Sequence, residues 1–372
     1  MRHLELARGV VQRLADGQAA AAALAIRSAE ILLQQGDYAA AEPNISRAIE
    51  LQSKLHGEDS TVFAAAVNMA ANLQFLLARY PEALAEYRRV EAIYSAAYGA
   101  NHPLLGKVLN NIGATQFSQF DYPAAEATHT RVLEILRNAH GPNHPSLGTV
   151  HSNLGLLALA QAQFPRATAE FRRSLAIYEE ALPADHPSIG DCWTDLGYGY
   201  LVAGEYEPAE QAFARAQAVY LRVFGAGHAR STAAQTSMGQ AQLRRGHVAE
   251  AEQSLLKAIR EFTGAPEDPA LAAAEAQLGK LRVVQDRLPE ALALLERALP
   301  RMEKQPGGVE IDIAGVQFAL AGARFRLYPT EAASSRVLAE AARTSFLLFG
   351  AQYRSEVAQI DAWLARLPAP AG

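Results

Sequence analysis

Aromatic and small residues recur along the chain at a fixed spacing of 42 residues. An aromatic residue stands at Tyr38, Tyr80, Tyr122, Phe164 and Tyr206, and an alanine follows three residues after each. Another mostly small position follows seven residues after that alanine. Offsets of three and seven from one residue lie on one face of a helix. Each repeat is therefore predicted to contain a helix with a stripe of small residues, which lets a neighbouring helix approach closely.

A second predicted helix precedes each of these stripes. It is clearest in four segments that each end in a glycine, at Gly113, Gly155, Gly197 and Gly239. A glycine inside a helix costs about 1 kcal/mol relative to alanine. Its repetition therefore indicates close contact between helices. Two helices in every repeat predict an all-α chain built of helix pairs.

Four histidines stand near the starts of repeats, at His102, His144, His186 and His228, and the first three are followed by proline. Proline is favoured at the first position of a helix, and the residue before it takes the N-cap. In two other repeats the aligned residue is Ser60 or Asp268, and both are strong N-caps. The equal spacing distributes the histidines along the array. We interpret them as helix starts and predict no metal site.

The repeats predict one elongated domain, because each unit packs only on its neighbours. We expect a leading helix at 1–14 and six to seven helix pairs within 15–304. Their predicted bounds are 15–56, 57–98, 99–140, 141–182, 183–224, 225–264 and 265–304. A degenerate pair at 305–349, a capping helix at 350–367 and a disordered tail at 368–372 are expected to follow. Terminal repeats must cover an exposed apolar end, which explains degeneracy there.

Charge and cysteine content narrow the possible functions. The net charge of −5 argues against a nucleic-acid partner, which needs a basic stripe. Cys192 is the single cysteine, so neither a disulfide framework nor a thiolate metal cage can form within one chain. The N-terminal residues lack the apolar segment of a signal peptide, and no apolar run reaches membrane-spanning length. We expect a cytoplasmic protein that does not contact a membrane.

The motifs of the repeat resemble a known family. The Leu-Gly of the first helix, the turn at 36–38 and the two small positions resemble the tetratricopeptide repeat, whose standard unit has 34 residues. The eight additional residues correspond to about one turn in each helix. With the Gly-x-x-His-Pro boundaries at 99–103 and 141–145 and the Leu-Asn-Asn-Ile segment at 109–112, the chain resembles the long repeats of kinesin light chains and their bacterial relatives.

This resemblance covers residues 15–304 and implies a right-handed superhelical α-solenoid of antiparallel helix pairs. It also implies that the first helices line a concave groove. The positions expected to face that groove are counted from the recurring small residue of each first helix, such as Gly113. They lie six and three residues before it and one and four residues after it. They are Asn68, Asn72, Phe75, Lys107, Asn110, Phe117, Thr149, Ser152, Asp191, Thr194, Tyr198, Thr236, Gln240 and Lys280.

Helix propensity does not explain a row of Asn, Ser and Thr in the middle of helices. In a groove these side chains are expected to hydrogen-bond the main chain of an extended peptide, while the aromatic members contact its side chains. The alternative is that they bond neighbouring helices, as expected for Asn111 and Asn153. A clamp for a C-terminal carboxylate needs several cations. Near Asn68 and Asn110 only Lys107 provides one, so a mixed or weakly charged peptide is expected.

The leading functional hypothesis is a non-enzymatic scaffold or adaptor that binds a peptide or protein partner in this groove. The alternative is a peptide-responsive receptor that changes shape on binding and controls an effector protein. The single short leading helix counts against the receptor, since such receptors carry added N-terminal helices. No phosphate-binding Gly-rich loop, zinc-protease motif or serine elbow occurs in the sequence. We therefore expect neither catalysis nor a cofactor.

Overall fold

The computed structural model describes residues 17–304, 310–350 and 353–368, and these residues form seventeen α-helices and one 3₁₀ turn. The helices are α1 Gly17–Gln34, α2 Tyr38–His56, α3 Thr61–Leu76, α4 Tyr80–Tyr98, α5 Leu104–Ser118, α6 Tyr122–His140, α7 Pro145–Ala160, α8 Phe164–Ala181, α9 Pro187–Ala203, α10 Tyr206–Phe224, α11 Ala229–Arg244, α12 Val248–Glu261, α13 Pro269–Val284, α14 Leu288–Glu303, α15 Glu310–Leu327, α16 Ala332–Phe349 and α17 Arg354–Leu364. The predicted all-α fold of packed helix pairs is confirmed. The predicted leading helix at 1–14 and all but the first residue of the predicted tail at 368–372 lie outside the described residues.

The repeating histidines begin first helices, as predicted. The Nδ1 atoms of His186 and His228 accept hydrogen bonds from the main-chain N–H two residues later, at 3.2 and 3.1 Å. His102 accepts one from Leu104 at 3.3 Å, but the N-cap of that helix is Pro103 and not the predicted His102. The His228 ring also stacks on Phe224 at the end of the preceding helix, with 4.3 Å between ring centroids. A histidine here therefore both caps its own helix and packs on the previous one.

The small residues of each repeat allow close packing, also as predicted. The alanines of the second-helix stripe, among them Ala83 and Ala125, are completely buried. On the first helices, a Cβ added at Gly155 would lie 2.5 Å from the ring of Phe171, and one at Gly197 would lie 2.6 Å from Phe213. Such distances are shorter than real carbon contacts allow. Only glycine therefore permits the ring of the second helix to lie against the first.

In seven of the eight helix pairs of the described residues, the turn inside the pair contains one residue with a left-handed backbone. Glycine fills this position in three pairs, at Gly36, Gly204 and Gly246. In four others the residue is Ala78, Phe120, Ala162 or Asp286, with φ between 56° and 62°. A left-handed residue that carries a Cβ costs roughly 1 to 2 kcal/mol. The repeat geometry is therefore maintained at these four turns against local strain.

The described chain divides into two compact units, one up to His144 and one from Pro145 onwards. The amino-terminal unit contains α1 to α6, and the carboxy-terminal unit contains α7 to α17. In the second unit Cys192 is buried, since it is 2% exposed within the core. At the end of this unit, Trp363 of α17 packs edge-on against Phe318 and Phe325 of α15.

None of the described helices is both long enough and apolar enough to span a membrane.

Candidate partner-binding face

Three predicted groove residues of the amino-terminal unit converge on one pocket. Asn68 of α3 and Lys107 and Asn110 of α5 line it, together with Tyr94, Leu104, Val108 and Asn111. Lys107 is exposed, whereas the Oδ1 atom of Asn68 is buried and accepts no hydrogen bond from any described residue. An unsatisfied buried acceptor is costly, about 1 to 3 kcal/mol. This pocket, which we call the asparagine pocket, therefore contains an acceptor that no described residue satisfies.

Other predicted residues of this unit are occupied by contacts with neighbouring helices. The Oδ1 atom of Asn72 accepts hydrogen bonds from the Tyr87 hydroxyl at 2.7 Å and from the Asn111 amide at 3.3 Å. Phe75 and Phe117 are half-buried at the ends of first helices. Each packs against the tyrosine that begins the next helix, with ring centroids 5.7 and 5.6 Å apart. These residues therefore contact neighbouring helices, which was the alternative to a role in binding a peptide.

In the carboxy-terminal unit, the predicted residues of α7 and α9 are also bonded within the fold. Thr149 shares a 2.7 Å hydrogen bond with Tyr178, and Ser152 shares one of 2.9 Å with Ser174. Asp191 accepts hydrogen bonds from the Tyr220 hydroxyl at 2.7 Å and from the Arg230 guanidinium at 3.0 Å. The Thr194 hydroxyl donates to its own helix, to the Gly190 carbonyl at 2.9 Å. The hydroxyl groups of Tyr178, Ser174 and Tyr220 come from second helices. The periodic pattern of the first helices alone does not predict these hydrogen bonds.

Four predicted residues lie together in a second pocket, within the carboxy-terminal unit. Tyr198, Thr236, Gln240 and Lys280 line it on successive first helices, and the other lining residues are Ala233, Ser237, Ala273, Ala276, Gln277, Met302, Asp312 and Val316. Thr236 is buried and donates to the Thr232 carbonyl at 2.8 Å. The Tyr198 residue is 39% exposed, while its hydroxyl bonds to Ser237 at 2.9 Å. We call this site the lysine pocket.

Lys280 is the basic residue among the lining residues of the lysine pocket. Burial lowers the pKa of its ammonium group, the Asp312 carboxylate raises it, and the Arg244 guanidinium lowers it further. Among the described residues, Lys280 forms no ion pair or hydrogen bond. Burial also raises the pKa of Tyr198, and Asp312 adds to that increase, so its hydroxyl stays protonated near neutral pH. The pocket thus presents one cation, neutral polar groups and one carboxylate.

Asp195 is a charged group on α9 that the sequence prediction did not include. Burial raises the pKa of its carboxyl to about 7, the nearby Asp191 raises it too, and a hydrogen bond from Ser152 opposes both effects. Asp195 stands 42 residues after Asn153 and 84 after Asn111, the two asparagines expected to bond neighbouring helices. Following that repeat position would have found it. Asp312 lies beyond 304, where the repeat decays, and no periodic signal locates it.

The described residues contain no group of three His, Cys, Asp or Glu side chains placed to hold a metal ion. Cys192 is buried, and burial raises the pKa of its thiol to about 11. Its Sγ atom lies 3.2 Å from the Ser174 hydroxyl. A protonated, enclosed thiol is a weak nucleophile.

Comparisons with known proteins agree with this architecture. A family model for the tetratricopeptide repeat matches residues 61–138 and 108–180. A search of curated protein sequences found no match. Among solved structures, the apo form of the quorum sensor NprR from B. thuringiensis has a TM-score of 0.65 and 16% identity, covering 91% of this chain and 92% of its own.

Two further solved structures are similar. A Rap protein complexed with competence and sporulation factor has a TM-score of 0.54 and 14% identity, covering 93% of this chain and 99% of its own. A kinesin light chain with TPR-like repeats, described as being from Podosopora anserina, has a TM-score of 0.47 and 20% identity, covering 56% of this chain and 99% of its own. At these identities the likeness concerns the fold.

Proposed function

Because this is a tetratricopeptide-repeat protein, we propose that it is a non-enzymatic scaffold or adaptor that binds a peptide segment of a partner protein in the groove formed by its first helices. The observation that supports this most directly is the asparagine pocket. There, the buried Oδ1 atom of Asn68 lacks a donor among the described residues. An N–H of an extended peptide main chain is a donor of the right kind.

The other lining groups of the asparagine pocket suit the same ligand. Tyr94 and Leu104 provide apolar surface, and Leu104 is 44% exposed. Lys107 adds one cation at the rim, where a charge affects specificity and association rate more than affinity. A mixed or weakly charged segment therefore fits better than a strongly acidic one. The proposal includes a cytoplasmic location, since the one cysteine is free and buried, and no nucleic-acid or membrane partner.

The test is a double substitution, Asn68→Ala with Asn110→Ala. Partner proteins captured from a lysate by the wild-type chain would be identified by mass spectrometry, and the affinity of the recovered segment measured by fluorescence anisotropy. We expect the double variant to weaken binding by about tenfold or more, because each lost hydrogen bond to a buried group costs roughly 1 kcal/mol. Helicity should remain unchanged in circular dichroism.

The matched control is Asn44→Ala with Asn138→Ala, on the second helices α2 and α6 of the same unit. These substitutions remove the same chemical groups outside the pocket, and we expect them to leave binding unchanged. If both double variants bind as tightly as the wild type, the asparagine pocket is not the binding site. If both weaken binding equally, the loss reflects the fold of the unit and not the pocket.

The second candidate is a peptide-responsive regulatory receptor. The fold likeness to the quorum sensor NprR, which spans 91% of this chain, favours it. A receptor must change shape when its ligand binds, because a ligand shifts an equilibrium only through its different affinities for the two states. Small-angle scattering with and without the recovered segment separates the two functions. A scaffold keeps its radius of gyration, whereas a receptor becomes more compact.

A further inference from the structure

The ammonium group of Lys280 lies folded against α15 in the lysine pocket. A Cβ added at Gly315 would lie only 2.9 Å from the Nζ atom. Lys280 is also half-buried, although lysine side chains usually extend into water. The absence of a side chain at Gly315 thus creates the space that holds the cation.

Lys280 differs from the other enclosed cations of the same unit. Arg282 pairs with Glu252 at 2.7 Å, and Arg245 pairs with Glu210 at 2.5 Å. Lys280 has no such partner among the described residues. Enclosing an unpaired charge is unfavourable unless an opposite charge compensates it. The Asp312 carboxylate compensates the Lys280 charge only in part, because burial and Arg244 still hold the pKa of Lys280 below its usual value. The pocket is therefore preorganised for an anionic group supplied from outside the fold.

We propose that the lysine pocket binds a single carboxylate of a peptide ligand, which accepts a hydrogen bond from the Lys280 ammonium and another from the Gln240 amide. This inference rests on the proposed peptide binding and specifies one chemical group of the ligand. Gln240 lines the same pocket, and no hydrogen bond from a described residue occupies it. Arg244 stands one helical turn after Gln240 on α11 and adds positive potential.

The second charge of the pocket favours a carboxylate over a phosphate. Asp312 lines the pocket and would repel any anion that binds there. A phosphate monoester carries about −1.5 to −2 charges at neutral pH, so this repulsion would be nearly twice as large as for a carboxylate. One ammonium group also neutralises only part of the charge of a dianion. The shared chemistry is a carboxylate, supplied by an Asp or Glu side chain or by the C-terminus of the segment.

The test uses fluorescently labelled decapeptide libraries, each with one position fixed and the remaining positions randomised. Libraries fixed as Glu or Asp are compared with libraries fixed as Gln or Asn, and each is made with a free and an amidated C-terminus. Retention on the immobilised full-length chain is the readout. We expect about tenfold or stronger preference for the carboxylate, as typical for a hydrogen-bonded charge pair. Preference for acidic libraries identifies a side chain, and loss on amidation identifies the C-terminus.

Two lysine substitutions assign the preference to the pocket. Lys280→Met should abolish it, whereas Lys257→Met, which removes one charge from the second helix α12, should retain it. Gly315→Ala should weaken the preference while keeping every charge, because the new methyl group would displace the ammonium. Asp312→Asn should strengthen it, because the substitution removes the repelling carboxylate. If Lys280 only stabilised the fold, the carboxylate preference would not weaken in Gly315→Ala and strengthen in Asp312→Asn.

The outcomes separate this inference from the binding function itself. If peptides are retained without any preference for a carboxylate, or if Lys280→Met keeps the preference, the carboxylate subsite is wrong and peptide binding stands. If the wild-type chain retains no library at all, both proposals are overturned. Preference for a phosphoserine library over the Glu library would also overturn the assignment of a carboxylate.

Discussion

The imidazole of His129 lies directly against Gly113, where an added Cβ would come within 2.6 Å of the Cε1 atom. The two aligned positions in the next repeats are Phe171 against Gly155 and Phe213 against Gly197. His129 thus occupies a site built for a hydrocarbon ring. It is 2% exposed, and its Nδ1 atom has no hydrogen-bond partner among the described residues. Burial lowers the pKa of this imidazole to about 4.

Replacing His129 with phenylalanine should remove an acid-sensitive contribution to stability. The folded pKa lies below the value of about 6.5 for an exposed histidine, so the unfolded chain binds the proton more readily. Stability is therefore lost as the pH falls from about 7 to 4, by about 3 kcal/mol in total. Urea unfolding of the wild type and of His129→Phe, measured at several pH values, tests this.

The difference between the two unfolding curves isolates His129, because all other titrating groups are shared. His129→Phe should gain stability relative to the wild type as the pH decreases. A difference that stays constant between pH 7 and pH 4 would show that His129 does not titrate in this way.

The glycines beneath second-helix side chains should not tolerate even one methyl group. Gly155→Ala would place a Cβ 2.5 Å from the Phe171 ring, and we expect a loss of about 1 to 3 kcal/mol. The control is Gly322→Ala on α15, where nothing lies within 4 Å of the new Cβ. That variant should gain up to about 1 kcal/mol from higher helix propensity. Thermal unfolding should thus shift in opposite directions, and equal losses would contradict the packing explanation.

The left-handed turns offer a reciprocal pair of substitutions. Ala162 has φ of 58°, and Gly204 occupies the same turn position one repeat later with φ of 80°. Ala162→Gly should stabilise the chain by about 1 kcal/mol, because glycine adopts this conformation without steric strain. Gly204→Ala should destabilise it by a similar amount, since nothing lies within 4 Å of its new Cβ and only the backbone is strained. Chemical denaturation of both variants measures the two changes in the free energy of unfolding. Changes of the same sign would contradict the explanation by backbone strain.

The helix pairs and helix starts follow from sequence because one geometry repeats. The capping role of His186 or His228 needs only its place before a helix, and the buried glycines need only their spacing. The sequence does not predict which candidate groove residues are already hydrogen-bonded within the fold. The Oδ1 atom of Asn72 already accepts a hydrogen bond from the Tyr87 hydroxyl, which lies on the other helix of the pair. No first-helix pattern contains that information.

The lysine pocket shows a second limit of periodicity. Tyr198, Gln240 and Lys280 occupy equivalent positions on successive helices, and the sequence places them on one face. Asp312 and Gly315, which determine the charge and the space around Lys280, belong to α15. This helix follows the decay of the repeat, so its packing depends on tertiary contacts that a local pattern does not encode.

Asp195 should make the carboxy-terminal unit less stable as its carboxyl ionises. Its folded pKa of about 7 lies above the ordinary value of 3.8, so the folded chain holds the proton more tightly than the unfolded chain. The stabilising contribution is complete below pH 4 and is lost as the pH rises to 7. Asp195→Asn keeps an acceptor for Ser152 and has no charge, and the preceding repeat already carries Asn153 here. At pH 8 this variant should exceed the wild type by about 2 to 4 kcal/mol.

A second substitution tests the cause of the raised pKa. Asp191 stands one helical turn before Asp195, and its negative charge disfavours ionisation of the neighbouring carboxyl. Asp191→Asn should therefore lower the pKa of Asp195 without returning it to the ordinary value, because burial is the larger effect. Carbon-13 NMR of the aspartate carboxyl groups follows this titration directly. If Asp195 in the wild type titrates near pH 4, its carboxyl is hydrated, and Asp195→Asn should then give no gain at pH 8.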